Sequence, residues 1–163
     1  MKLDVGSGKA SVEGYRHLDN VPYPHIDYVC DAASTPIGDG EVSEIRSRHF
    51  LEHLDRDHVR RVLAEWRRIL KPGGAVHVWA PDIIYHGAQL SLPGKSQYLP
   101  HKTNFEHAMA GLYGWPTETP NMVHKWGYTP KTLQILFVSA GFRNVELPTP
   151  ERACDIELTA INP

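Results

Sequence analysis

The sequence predicts an α/β fold built on one doubly wound, mostly parallel sheet with an antiparallel last strand. Two patterns carry that prediction. Short β-rich segments alternate with amphipathic helical stretches through most of the chain. The early β-rich segments run into glycines or aspartates, the residues expected where strand tips face a ligand.

Lys2 to Val5 is a short apolar-leaning run broken by Gly6-Ser7-Gly8. Tyr15 to Leu18 and Ile26 to Cys30 read as the next two strands, leading into Asp19 and Asp31, and Ser43 to Ser47 reads as a fourth that enters a turn. From there Val59, Val62, Leu63, Trp66, Ile69 and Leu70 form a helical stripe, with Asp55 or Asp57 as N-cap and Lys71-Pro72-Gly73-Gly74 as the stop. Ala75 to Ala80 alternates as a strand should. Residues 83–128 hold aromatics, histidines, glycines and prolines without a sustained period, which predicts short helices in a lid or insert. Thr129-Pro130 supplies an N-cap and first helical residue, Leu133, Leu136, Phe137 and Ala140 the apolar face, and Gly141 the end. Val145 to Leu147 and Asp155 to Ile161 close the chain as strands.

With 163 residues, 41% hydrophobic and 22% charged, residues 1–163 are expected to fold as a single domain with a sizeable core. No apolar run is long enough for a membrane span and no signal-peptide core precedes the first strand, so the expected location is cytoplasmic. A net charge of -2 gives no general attraction to nucleic acid or to an anionic membrane. The basic stretch from Arg46 to Lys71 is interleaved with Glu52, Asp55, Asp57 and Glu65, the pattern of a solvated helix face. Cys30 and Cys154 are expected to be buried thiols, neither of them a nucleophile.

Gly6 and Gly8 follow the first strand, where a backbone without Cβ can approach a ligand. The loop is not a phosphate cradle: the dinucleotide fingerprint would need Gly or Ala at Ser11, and a P-loop would need Ser or Thr at Ala10. A carboxylate at the tip of the second strand, Asp19, can accept from both hydroxyls of a ribose, and one at the tip of the third, Asp31, from an adenine amino group. Taken singly, either aspartate also fits a turn or a cap.

The order of pieces Leu3-Asp4-Val5-Gly6-Ser7-Gly8, Gly14-Tyr15-Arg16-His17-Leu18-Asp19, Cys30-Asp31-Ala32, His49-Phe50-Leu51-Glu52-His53-Leu54, Leu70-Lys71-Pro72-Gly73-Gly74, Pro81-Asp82, His124-Lys125-Trp126-Gly127-Tyr128-Thr129 and Ala140-Gly141-Phe142 resembles the class I S-adenosylmethionine-dependent methyltransferases. The similarity is to the small methyltransferase-11-like members often associated with polysaccharide genes. It implies a Rossmann-like sheet and S-adenosylmethionine as cofactor. It also implies a small-molecule or saccharide acceptor, with 83–128 as an acceptor-side lid or insert. By that resemblance Asp4, Gly6, Ser7 and Gly8 border the methionine part of the cofactor, Asp19 and the adjacent Asn20 the ribose, Asp31 and Ala32 the adenine, and His49 the cofactor floor. The sequence departs from the pattern at Ala10, where a third glycine is usual, and in the length of the first crossover, about ten residues against the dozen or more of a helical one. It begins at the first strand without the N-terminal helices of many relatives, so cover for the cofactor is expected from 83–128, a homo-oligomer or a partner chain.

His49-Phe50-Leu51-Glu52-His53 also matches the H-x-x-E-H pattern of a group of zinc peptidases. That reading needs a helix already running at Arg48 and a third ligand from downstream, for which Glu65, Glu106 and Glu118 are candidates. A strand over Ser43 to Ser47 argues against it and for a site without metal. For a base near neutral pH histidine is the usual choice. His17, His25 and His58 read as surface or turn residues and His77 as part of a strand, whereas His53, His101 and His124 are better placed. The resemblance puts His124 beside the acceptor; the alternative is a histidine that anchors the loop before the last helix, and both readings stay open. Trp115, Trp126, Tyr113 and Tyr128 could form a stacking wall or pack the long loop onto the sheet. A non-catalytic cofactor-binding scaffold subunit is the rival reading from another class.

Overall fold

The computed structural model describes residues 1–115 and 122–163. In chain order the elements are β1 (Lys2–Val5), β2 (Arg16–Asp19), β3 (Tyr28–Val29), β4 (Val42–Arg48), a 3-10 turn over Leu51–His53, α1 (Arg56–Ile69), β5 (Leu70–Pro81), α2 (Ile83–Gln89), α3 (Asn104–Tyr113), α4 (Pro130–Ser139), β6 (Arg143–Glu146) and β7 (Asp155–Ile161). They build a seven-stranded sheet in the order β3-β2-β1-β4-β5-β7-β6. β1 to β5 pair in parallel and β7 runs antiparallel to both β5 and β6. The mostly parallel α/β architecture expected from the sequence is therefore present. Among the described residues no helix is long and apolar enough to cross a membrane.

One apolar cluster joins the sheet to its helices. Leu3, Ile45, Val76, Val78 and Leu158 from the strands pack with Val62, Leu63 and Trp66 of α1 and Leu133 and Phe137 of α4. Periodicity explains α1: its buried residues are Val59, Val62, Leu63, Trp66 and Ile69, the stripe visible in the sequence. Asp55 is the N-cap, accepting from the N–H groups of Asp57 and His58. α4 starts as expected, with Thr129 as N-cap, Pro130 in the first turn and Thr132 completing a reciprocal cap.

The stretch after α1 differs from expectation. Lys71 to Gly74 is not a free turn before the strand but part of β5, because Asn162 holds it from the other end of the chain. The Asn162 side chain donates to the carbonyls of Arg67, Leu70 and Lys71 at 3.1, 3.0 and 3.3 Å. Its backbone exchanges hydrogen bonds with Gly73 and Gly74. One asparagine thus satisfies carbonyls that the end of a helix leaves without partners.

Two further expectations are corrected. Of the two cysteines only Cys154 is buried; Cys30 is half-buried. His17 is not a surface residue: it is buried, and its Nε2 accepts from the Val12 N–H at 2.9 Å, which ties the glycine loop to β2.

Candidate active site

The sheet order reverses between β1 and β4, and ligand sites of open parallel sheets lie at the carboxyl ends of strands beside such a point. A cleft of about 920 Å³ opens there. Gly6, Ser7, Gly8, Asp19, Asn20, Asp31, Ala32 and His49 line it, along with His53 and His124. Backbone geometry shapes the near wall. Gly6 has φ 71°, and a Cβ added to it would run into the Phe50 ring. The two oxygens of Asp19 accept from the N–H groups of Gly8 and Val21, each at 2.9 Å, so this carboxylate clamps the glycine loop while facing the cleft. Asp31 accepts from the Ala33 N–H at 2.9 Å and pairs with His58 Nε2 at 2.8 Å. His58, read from the sequence as a surface or turn residue, is a cleft residue that orients Asp31.

Asp4 is the one cofactor candidate that does not line the cleft. It is buried, and its Oδ1 accepts from Arg46 at 2.9 Å. Burial raises the Asp4 pKa, opposed by the Arg46 charge and hydrogen bond. Strand alternation explains the misplacement: Asp4 pairs in register with His17 and Arg46, on the sheet side away from the Leu3 core, and not at the strand tip.

The H-x-x-E-H stretch does not form a helix. β4 continues to Arg48, His49 takes φ 53°, and only Leu51–His53 turns, as 3-10 helix. His49 and His53 therefore do not share a helical face, and the peptidase arrangement is absent. Glu65 is instead engaged by Thr35 and Arg68, and the Glu106 carboxylate accepts from Thr103 in the cap of α3, while Glu118 lies outside the described residues. His49 sits between Glu52 Oε1 at 3.3 Å and Asp155 Oδ1 at 3.7 Å. Burial disfavours its charged form, but the two carboxylates outweigh that and raise its pKa to about 9.

The backbone carbonyl of Glu52 accepts from the N–H groups of Lys125 and Trp126 at 2.8 and 3.1 Å, drawing the segment before α4 onto the 3-10 turn. This brings His124 against His53, with ring centroids 4.9 Å apart. Both rings are oriented through Nδ1: His53 against the Val123 carbonyl at 3.1 Å, His124 against that of Gly111 at 3.0 Å. Since a carbonyl only accepts, each Nδ1 carries a proton, and Nε2 is the nitrogen that holds the lone pair in the neutral form of either ring. Burial lowers the His124 pKa, keeping the ring neutral. The sequence-nominated pair is thus brought together, whereas the third candidate, His101, is exposed and outside the cleft.

Residues 11–78 match a family model described as a methyltransferase domain. A S-adenosylmethionine-dependent methyltransferase from Methanosarcina mazei superposes with TM-score 0.57 at 15% identity, over 98% of this chain and 89% of that one. The Burkholderia thailandensis 1,6-didemethyltoxoflavin-N1-methyltransferase, with bound 1,6-didemethyltoxoflavin and S-adenosylhomocysteine, gives TM-score 0.64 at 16% identity over 99% and 70%. A chain of the Haloferax volcanii complex between the Trm112 methyltransferase activator and a methyltransferase gives 0.58 at 13% over 99% and 82%. No curated protein sequence matches. The chain has the class I methyltransferase fold. The resemblance drawn from the sequence motifs is borne out in the fold, and over residues 11–78 by the family model.

On this methyltransferase fold the matched segment spans Asp19, Asp31, His49 and His53, while the glycine loop and His124 fall on either side of it. The sequence did not single out His86, His107 or Asp155, all of which line the cleft. His86 is buried on α2, its ring centroid 5.1 Å from that of His107 on α3. Burial lowers the His86 pKa to about 4. One signal was available: Gly111, inside α3, has no Cβ because the His86 ring fills that space. Of the four aromatics considered for a stacking wall only Trp115 lines the cleft. Tyr128 is buried, and Tyr113 and Trp126 are exposed.

Proposed function

We propose that the chain binds S-adenosylmethionine in this cleft and transfers a methyl group to a small-molecule or saccharide acceptor. The observation that carries the reading is the Asp19 carboxylate, which clamps the glycine loop through Gly8 and faces the same cleft as Asp31. The residues fit the cofactor. Each Asp19 oxygen has one lone pair engaged by backbone and one left for a ribose hydroxyl, Asn20 lies beside it, and the Ala32 backbone with Asp31 suits an adenine edge. Gly6, Ser7 and Gly8 offer backbone at a close approach, and the buried Ser7 hydroxyl has no partner in the protein. The presence of S-adenosylhomocysteine in the Burkholderia neighbour supports the same ligand class.

When bound, the cofactor supplies an electrophilic methyl on sulfur. The protein's part is to align the acceptor oxygen or nitrogen, exclude water and take a proton. His124 and His53 are the candidates for the last task, since each ring is held through Nδ1 by a backbone carbonyl and so has Nε2 as the nitrogen left to take a proton. Residues 83–128 are the acceptor-side insert in this reading: His86, Leu99, His107, Gly111, Trp115 and His124 from this stretch line the far wall. Calorimetry of the untagged chain with S-adenosylmethionine and with S-adenosylhomocysteine tests the proposal. Binding of both at micromolar concentrations supports it, and no heat up to millimolar cofactor overturns it. Binding without methyl transfer to any acceptor would favour the scaffold reading.

A further inference from the structure

We propose that Glu52, His53 and His124 form a binding site for one divalent transition-metal ion in the wall of the cleft. One ligand atom from each of the three residues lies within 4.8 Å of the others. Glu52 and His53 belong to the H-x-x-E-H stretch, but His49 takes no part and His124 comes from the segment before α4, so the donor set is not that of the peptidases.

Three independent features make this a prepared site. First, Glu52 is 1% exposed, yet neither of its carboxyl oxygens has a hydrogen-bond partner. His49 stands 3.3 Å from Oε1 as an ion-pair neighbour that it shares with Asp155, which leaves lone pairs of the buried carboxylate for a cation to fill. Second, both imidazoles use Nδ1 to donate to a backbone carbonyl, the contacts at 3.1 and 3.0 Å. That is how proteins fix the tautomer and orientation of a histidine ligand, and it leaves Nε2 of each ring for metal. Third, the donors come from segments already joined: the Glu52 carbonyl holds the N–H groups of Lys125 and Trp126, so His124 is delivered to the 3-10 turn before any ion arrives. The nearest cation, His49, is 3.3 Å from Glu52 Oε1 and is balanced by Asp155 at its other nitrogen.

Two imidazoles and one carboxylate suit zinc, cobalt, nickel or ferrous iron, and suit magnesium or calcium poorly because those ions take oxygen ligands. Three protein ligands leave coordination positions open towards the cleft. The next consequence rests on the methyltransferase reading, whereas binding itself does not: an acceptor hydroxyl taken up at an open position would have its pKa lowered by the ion, and His124 would then serve as ligand instead of base.

The experiment uses the full untagged chain, stripped with chelator and free of cofactor. Cobalt(II) is titrated while visible absorbance is recorded, and zinc binding is measured by calorimetry. The expected result is one ion per chain, with cobalt ligand-field bands, and a zinc-dependent rise in Tm. Glu52→Gln and His124→Ala should each weaken binding at least about tenfold and abolish the Tm rise. His101→Ala, an exposed histidine outside the cleft, should bind as wild type. His53→Gln replaces Glu52→Gln if the latter does not fold. Uptake of less than one ion per chain, or equal affinity in the wild type and the ligand variants, overturns the proposal. Because no cofactor is present, failure here is distinguishable from failure of the S-adenosylmethionine reading.

Discussion

Asp19→Ala is the perturbation that bears most directly on the cofactor site. Each Asp19 oxygen accepts one backbone N–H, from Gly8 and Val21 at 2.9 Å, and retains capacity for one hydroxyl of a vicinal diol. Hydrogen bonds to a charged group contribute about 1.5–3 kcal/mol each, so two of them are worth roughly 3–6 kcal/mol. Asp19 is only half-buried, which favours the lower end. At about 1.4 kcal/mol per decade, a loss near 3 kcal/mol is about a hundredfold in Kd. The substitution also frees Gly8, so the glycine loop must be ordered at the cofactor's expense, which acts in the same direction. Asp19→Asn keeps one acceptor oxygen and loses the charge, and should fall between wild type and Asp19→Ala. Calorimetry with S-adenosylhomocysteine measures all three, with circular dichroism to establish that each is folded. A folded Asp19→Ala protein whose Kd stays within about threefold of wild type would remove Asp19 from the site and refute the reasoning.

Gly6 and Gly8 separate packing from backbone strain. Both have positive φ, but only at Gly6 would a Cβ meet another group, the Phe50 ring. Gly8→Ala should cost only the left-handed strain of about 1–2 kcal/mol, and Gly6→Ala should lower Tm further and weaken cofactor binding more; equal effects would sink the packing argument. Glu65 governs part of the acid response. The hydrogen bond from Arg68 chiefly, with those from Thr35, outweighs burial and holds its pKa at about 2. Because that value is depressed, the folded state binds fewer protons than the unfolded chain, so the stabilisation is complete above the unfolded value near 4.5 and is lost as pH falls towards 2. Glu65→Gln should therefore destabilise at pH 7 by roughly 1–3 kcal/mol and flatten denaturant-measured stability over that acid window; an unchanged acid profile would exclude the role. In hydrogen exchange, α2 and α3 should gain protection when cofactor is added, as expected of a lid. Strong and equal protection in both states would make them a rigid insert.

Much of the architecture is local information and could be read directly. The stripe of α1, the Thr129-Pro130 start of α4 and the alternation of β7 each depend on residues within one element, where period and capping chemistry act. Gly6, Asp19 and Asp31 were also legible as cleft residues, because they lie at or just beyond the carboxyl ends of parallel strands, the ligand edge of such a sheet. Asp4, placed at the cofactor by the resemblance alone, lies off the cleft, since alternation turns it away from the core face towards Arg46.

What tertiary structure decided has a common cause: partners distant in sequence. Asp155 lines the cleft because β7 runs antiparallel, so its first residue, instead of its last, reaches the edge where β1 to β5 end. Lys71 to Gly74 became strand because Asn162 supplies its hydrogen bonds. His53 and His124 became a pair because the Glu52 carbonyl captures the amides of Lys125 and Trp126. The sequence by itself determined which residues could carry chemistry and which local elements would hold them. The fold determined which of those residues meet, because a backbone hydrogen bond between distant segments uses groups that every residue has and leaves no mark in the order of side chains.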